Sequence, residues 1–242
     1  MRSVALLAVV LALLSAAPVG AVRPSQWGHE TEADFQQAGL DQTVVTNLGK
    51  IELSRAAEKL ATAEGESTLI YDALVGPDDR LIMAMGPEGR LGARTDEDAI
   101  ESIATFEKEQ VFALARDGDR LWVAVSGENS RLEARDAEMN VTRTIELPEV
   151  RYVWDLIVDG PRLWAATGTE GRLLMVDTSA EAPEPVVALD TEQKNLLCLG
   201  MDGEGRVYAG SDGEGLVYRV SRDPEAEGEQ AFSIFVLYDA AE

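Results

Sequence analysis

One short phrase recurs four times in this chain, and it restricts the fold more than any other feature. The copies are Arg80-Leu81-Ile82-Met83-Ala84, Arg120-Leu121-Trp122-Val123-Ala124, Arg162-Leu163-Trp164-Ala165-Ala166 and Arg206-Val207-Tyr208-Ala209-Gly210. Their Arg positions step by 40, 42 and 44 residues. An apolar run precedes each Arg: IYDALV, VFALA, VWDLIV and LLCLGM. A turn rich in Asp, Gly and Pro joins the run to the Arg, and such residues accept the tight backbone of a hairpin. A second turn follows, holding Gly86 to Gly89, Gly127 to Ser130, Gly168 to Gly171 and Asp212 to Gly215. A third run comes next (RLGAR, RLEARD, RLLMVD, LVYRV), then a more variable fourth (AIESIATF, NVTRTIEL, PVVAL, FSIFVLY).

Each unit therefore predicts four antiparallel strands with short connections. The runs are too short and too rich in β-branched and aromatic residues for helices. One such sheet cannot bury both faces alone, whereas copies stacked face to face can. Four-stranded units of this length match the blades of a β-propeller. The expected fold is all-β, a propeller of four-stranded antiparallel blades with about four blades present. Their approximate spans are 67-106, 109-147, 151-190 and 195-239, within a blade region of 67-242. The first strand of each unit is the most apolar, which predicts that it lies near the axis and is buried on both faces.

The two best copies are Gly205-Arg-Val-Tyr-Ala-Gly210 with Gly215-Leu-Val-Tyr-Arg-Val220, and Arg162 to Gly168 with Gly171 to Asp177. They resemble the WD40-like and quinoprotein-like propellers of exported bacterial proteins. That resemblance covers roughly residues 67-240. It implies the fold and leaves the role open, because such propellers serve many functions. Gly28-His29 and Trp154-Asp155 mimic the marks of true WD repeats, but Gly28-His29 lies outside every unit and Trp154-Asp155 sits on a first strand.

The ends carry separate signals. Arg2, the apolar run Val4 to Leu14 and the small residues up to Val19-Gly20-Ala21 read as a cleaved secretory signal over residues 1-21. The run is too short to span a bilayer. The expected localisation is secreted or periplasmic. Residues 22-66 form a lead segment, in which Thr43 to Leu53 reads as a hairpin and Ser54 to Glu66 as a short helix or loop. At the other end the last unit stops where a further first strand would begin. The pattern reads as a fragment of a longer propeller. A compact four-bladed ring and closure by oligomerisation are the alternatives.

Charge excludes some partners. The chain has 44 acidic and 21 basic residues and a net charge of -23. That disfavours nucleic acid and anionic membranes, whose phosphates need Lys and Arg. It suits high salt or a basic partner.

The search for chemistry yields little. There is one His, His29, and one Cys, Cys198. Neither an ordinary zinc site nor a thiol–His pair can be built from them within the repeats. Cys198 lies in an apolar run and reads as a buried thiol. One constellation remains: the second turn of every unit carries a glutamate, Glu88, Glu128, Glu170 and Glu214. On a propeller these turns share one face, so the four carboxylates would ring the channel mouth. They could coordinate calcium or attract a basic partner. The plainer reading is a solvated turn residue copied with its unit. Trp122, Trp154, Trp164 and Tyr208 read as filling between blades, with a glycan platform as the other possibility. Arg80, Arg120, Arg162 and Arg206 are expected to pair with turn carboxylates. The sequence thus points to a non-catalytic scaffold binding a protein or glycan ligand. The competing reading is a calcium-dependent propeller hydrolase or lactonase with an acidic channel mouth.

Overall fold

A computed structural model describes residues 43–46, 50–53, 60, 69–97, 99–226 and 228–238. The expected signal at 1-21, His29 and most of Ser54 to Glu66 lie outside the described residues. The chain divides into two compact units, Met1–Glu58 and Lys59–Glu242. In the first, β1 (Thr43–Val45) and β2 (Ile51–Leu53) pair antiparallel, with Thr43 opposite Leu53.

Among its described residues the second unit is all-β apart from one 3-10 turn at Gly228–Ala231. It is built of four four-stranded antiparallel sheets, the blades of a propeller fold. Blade 1 holds β3 (Leu69–Val75), β4 (Leu81–Gly86), β5 (Arg90–Arg94) and β6 (Ile100–Thr105). Blade 2 holds β7 (Gln110–Asp117), β8 (Arg120–Ser126), β9 (Arg131–Arg135) and β10 (Val141–Glu146). Blade 3 holds β11 (Tyr152–Asp159), β12 (Arg162–Gly168), β13 (Arg172–Asp177) and β14 (Pro185–Asp190). Blade 4 holds β15 (Leu196–Met201), β16 (Val207–Ser211), β17 (Val217–Arg222) and β18 (Phe232–Tyr238). Within each blade the strands pair in chain order.

The recurring Arg sets the hairpin between first and second strands. Arg120 pairs with Asp117 at 2.8 Å, Arg162 with Asp159 at 3.3 Å and Arg206 with Asp202 at 2.6 Å. Arg80 makes the same pair with Asp78. Each Arg thus neutralises the carboxylate that helps turn its own hairpin.

The blades are held by three apolar layers, one per seam. Ile82, Ala84 and Leu91 of blade 1 meet Val111, Leu121, Val123 and Val125 of blade 2. Trp122, Ala124 and Leu132 then meet Val153, Leu163 and Ala165 of blade 3. Trp164, Ala166 and Leu173 meet Leu196, Val207 and Ala209 of blade 4. Alternate residues of β8 and β12 thus feed opposite seams, as the two-residue period of a strand requires. Trp122 and Trp164 are core filling between blades.

The first strands lie inside the arc, β7 against β3, β11 against β7 and β15 against β11. Their burial differs from the expectation. The second strands β4, β8 and β12 are the most enclosed, while β3 and much of β15 are exposed. Apolar composition does not bury a strand that borders the axis and has a neighbouring blade on one side only.

Blade 2 also encloses a charged cluster. Glu133, nearly buried, accepts from Arg131 at 2.9 Å and pairs with Arg135. Arg131 reaches Glu109 of the preceding loop at 2.7 Å. Mutual pairing is what makes such buried charges tolerable.

Candidate functional site

A repeated irregularity builds the most distinctive surface. Every first strand carries a β-bulge near its start, and the extra residues are Tyr71, Phe112, Trp154 and Leu197. A bulge re-aims the unpaired side chain. Because the first strands adjoin, the re-aimed rings meet. Tyr71 and Phe112 lie 4.8 Å apart between ring centroids, Phe112 and Trp154 also 4.8 Å, and Trp154 stacks on Tyr152 at 5.0 Å. These offset and tilted geometries suit aromatic rings. The row is half-buried, with Tyr71 the most exposed member.

The row is held from behind. Trp154 Nε1 donates to Asn195 Oδ1 at 3.1 Å. Asp212 fixes that asparagine: its Oδ1 accepts from the Asn195 amide at 3.0 Å and its Oδ2 from the side-chain amide. The bond from Asn195 is the main cause holding the Asp212 carboxyl below its usual range. Gly168 leaves room for the arrangement, since a Cβ there would fall 2.7 Å from Trp154 Nε1 and 2.0 Å from Asn195 Oδ1.

The residue after each bulge alternates between a carboxylate and a small side chain: Asp72, Ala113, Asp155, Cys198. Asp72 Oδ1 accepts from its neighbour Ala73 at 2.8 Å, and Oδ2 accepts from Leu114 of blade 2 at 2.7 Å. Asp155 repeats this with Leu156 at 2.8 Å and Leu199 of blade 4 at 2.7 Å. Burial pushes the Asp155 carboxyl up, the two amides oppose it, and the charge of Asp72 adds to the rise. Both oxygens of each carboxylate are therefore committed to backbone. These carboxylates fasten one blade to the next.

Beside the row, a cleft of about 570 Å³ opens between blades 2 and 3. Lys108, Gln110, Glu128, Glu149, Arg151 and Tyr152 line it. The guanidinium of Arg151 lies 5.7 Å from the Tyr152 ring centroid, within cation–π range.

The four repeated glutamates occupy the turns between second and third strands, at the end where the first strands begin. Glu88, Glu128, Glu170 and Glu214 are all exposed. Glu128 reaches the cleft, and Glu214 accepts from Gln193 at 3.0 Å. Among the described residues no group of three or more His, Cys, Asp or Glu is placed to hold a metal ion, so these four do not come together as one. They are exposed turn-tip carboxylates, one on each blade.

Cys198 departs from the buried-thiol reading. It is exposed on β15. Its neighbours are apolar in sequence, yet in blade 4 that stretch is uncovered. Tyr208, expected as filling, is half-exposed and donates from its hydroxyl to Asp202 at 2.8 Å. The sequence reading missed Tyr71, Phe112 and Tyr152. The available trace was an aromatic followed by Asp in the first strands of alternate units, Tyr71-Asp72 and Trp154-Asp155.

No family model matches the sequence, and no curated protein does. Solved structures are similar in fold. A chain of the mitotic checkpoint complex matches with a TM-score of 0.52 and 13% identity over 82% of this chain and 60% of its own. A Bacteroides caccae protein of unknown function matches with a TM-score of 0.50 and 8% identity, over 70% of this chain and 60% of its own. Myxococcus xanthus glutaminyl cyclase gives a TM-score of 0.37 and 17% identity over 60% of this chain and 62% of its own, too distant to support an argument. The chain spans about 60% of the length of the structures it matches. At these identities the likeness shows the fold alone.

Proposed function

We propose that this chain is a non-catalytic, secreted or periplasmic binding scaffold whose aromatic row receives a polypeptide partner with a basic face. The observation that carries the reading is the bulge-displayed row Tyr71, Phe112 and Trp154, beside a cleft lined by Glu128 and Glu149. Rigid aromatics near the centre of a contact supply most of its affinity, and charged rims supply steering and selectivity. The net charge of -23 favours a basic partner over an acidic one. The committed oxygens of Asp72 and Asp155 leave this site without an evident proton-transfer pair.

An array of acidic, neutral and Lys/Arg-rich peptides, run beside a glycan array, tests this. Basic peptides should bind, and binding should weaken as salt rises. Tyr71→Ala should reduce affinity about tenfold or more, as expected for an anchor residue. Tyr71 is the exposed member, so the variant should keep its fold. Binding confined to glycans, or peptide binding indifferent to both Tyr71→Ala and Trp154→Phe, would overturn the assignment.

A further inference from the structure

The third strand of blade 4 ends unlike the others. By ladder register, the residue opposite the recurring Arg and the one after it are Thr95-Asp96, Asp136-Ala137 and Asp177-Thr178 in blades 1 to 3. Each pair holds a carboxylate. In blade 4 the same places hold Ser221 and Arg222. A negative position has become positive, in a chain with 44 acidic and 21 basic residues. Asp223 follows, but it serves its own loop, where Oδ1 accepts from the Glu225 amide at 2.9 Å. The guanidinium of Arg222 has neither a hydrogen bond nor an ion pair among the described residues, and its Nε is buried. Leaving a buried, charged donor unpaired is costly, so such a group calls for an acceptor.

Arg222 shares a cleft of about 490 Å³ with Arg162 and Arg206, at the strand ends opposite the aromatic row. Asp159, Glu204 and Ser221 also line it. A smaller cleft of about 220 Å³ shares Arg162 and Arg222 and adds Pro161, Met175 and Asp177. The nearby carboxylates are engaged. Arg162 approaches Asp159 at 3.3 Å, and Arg206 meets Asp202 at 2.6 Å and Glu204 at 2.9 Å. Asp177 Oδ1 accepts from the amide and the hydroxyl of Ser179, at 2.9 and 2.6 Å. Arg162 and Arg206 are thus matched by acids, and Arg222 carries the surplus charge. A guanidinium has five N–H groups, so all three arginines retain donors.

We infer that this cleft binds the sulfate or phosphate group of a small monoester. One planar fork satisfies a carboxylate, whereas a tetrahedral oxyanion presents three acceptor oxygens and takes N–H groups from several guanidiniums at once. A single surplus positive charge suits one such group and not a polyanion. The cleft volume lies in the ordinary range for small ligands, which leaves room for the body of the ester. Pro161 and Met175 give the adjoining cleft an apolar part against which that body can rest. The inference stands independently of what the aromatic row binds, because this site lies at the other end of the blades and selects the opposite charge.

Calorimetric titration of the full chain with glucose 6-sulfate, glucose 6-phosphate, glucuronate and glucose tests it. About 0.1 M sodium chloride screens the wider acidic surface. At least one ester should bind at a single site, with glucuronate and glucose about tenfold weaker or more. The tighter ester identifies the group. Arg222→Gln should weaken that ester about tenfold or more, the effect of losing a charged donor. Arg90→Gln is the control. It removes another half-buried guanidinium with an unpaired Nε, on blade 1, and should leave binding unchanged. Arg222 holds no side-chain partner, so the glutamine variant should melt as the wild type does. If it does not fold, Arg222→Lys keeps the charge, loses the fork and should also weaken binding. Failure of both esters to bind would overturn the inference. So would glucuronate binding as tightly as the esters, or full ester binding by the Arg222 variant. Equal losses in the Arg222 and Arg90 variants would signal net charge alone and would overturn it too.

Discussion

The Oδ2 atom of Asp155 accepts a hydrogen bond of 2.7 Å from the amide of Leu199, one blade away, while Oδ1 accepts from Leu156 within its own strand. One side chain thus satisfies two backbone donors on either side of a seam. Removing it leaves both without that acceptor. Asp155→Ala should cost about 2–3 kcal/mol, since each buried donor left unpaired costs roughly 1–3 kcal/mol. Urea unfolding should show a lower midpoint with an unchanged slope. Asp155→Asn keeps one acceptor and should lose less. A loss for the alanine variant under roughly 0.5 kcal/mol would mean the seam does not depend on this carboxylate.

The same carboxyl gives a pH signature. Burial raises its folded-state value above the unfolded one, so the fold holds that proton more tightly than the unfolded chain does. Its contribution is most favourable below the unfolded carboxylate value and is lost as pH rises through the folded one. Wild type measured against Asp155→Asn should therefore lose relative stability as pH rises from about 4 upward. Asp212 has the opposite sign, because Asn195 lowers its value. Its contribution is present above the unfolded value and fades as pH falls through the folded one. Paired melting curves for Asp155→Asn and Asp212→Asn should diverge from wild type in opposite senses.

Trp164 fills the seam between blades 3 and 4, and its Nε1 finds no hydrogen-bond partner among the described residues. Its worth is therefore volume and apolar contact. Trp164→Ala should cost about 3–5 kcal/mol, the usual range for emptying a buried aromatic site. Trp164→Phe sacrifices no hydrogen bond and should cost about 1 kcal/mol. Comparable losses for the two variants in chemical denaturation would point to a bonded indole.

Gly86 and Gly168 occupy equivalent strand ends but differ in tolerance. A Cβ on Gly86 would strike the Tyr71 ring at 2.3 Å, and that ring is the exposed end of the row. A Cβ on Gly168 would strike Asn195, which is tied to both Trp154 and Asp212. Gly168→Ala should cost about 1–3 kcal/mol through overpacking and should alter the near-ultraviolet dichroism of Trp154. Gly86→Ala should cost less and leave that signal unchanged.

The blades were readable in the sequence because each is a local object. Arg80, Arg120, Arg162 and Arg206, their turn carboxylates and the alternation of β8 and β12 all act within about 15 residues, where spacing carries the geometry. The aromatic row was not readable in the same way. A bulge depends on which partner residues pair, and nothing near Tyr71 or Phe112 announces that one residue will be left over. The glutamates are a different case. Glu88, Glu128, Glu170 and Glu214 repeat faithfully, but what repeats is an exposed turn, and a repeated turn does not by itself bring carboxylates together. Cys198 misled because an apolar neighbourhood implies burial only where something lies on top.

The alternation of Asp72, Ala113, Asp155 and Cys198 limits how such an array can be rebuilt. Duplicating one odd blade next to itself would aim two carboxylates at a single amide. Duplicating one even blade would strand an amide with no acceptor at all. Lengthening or shortening this protein without a fault at some junction therefore requires moving two neighbours together, which makes the pair, and not the single sheet, its unit of inheritance.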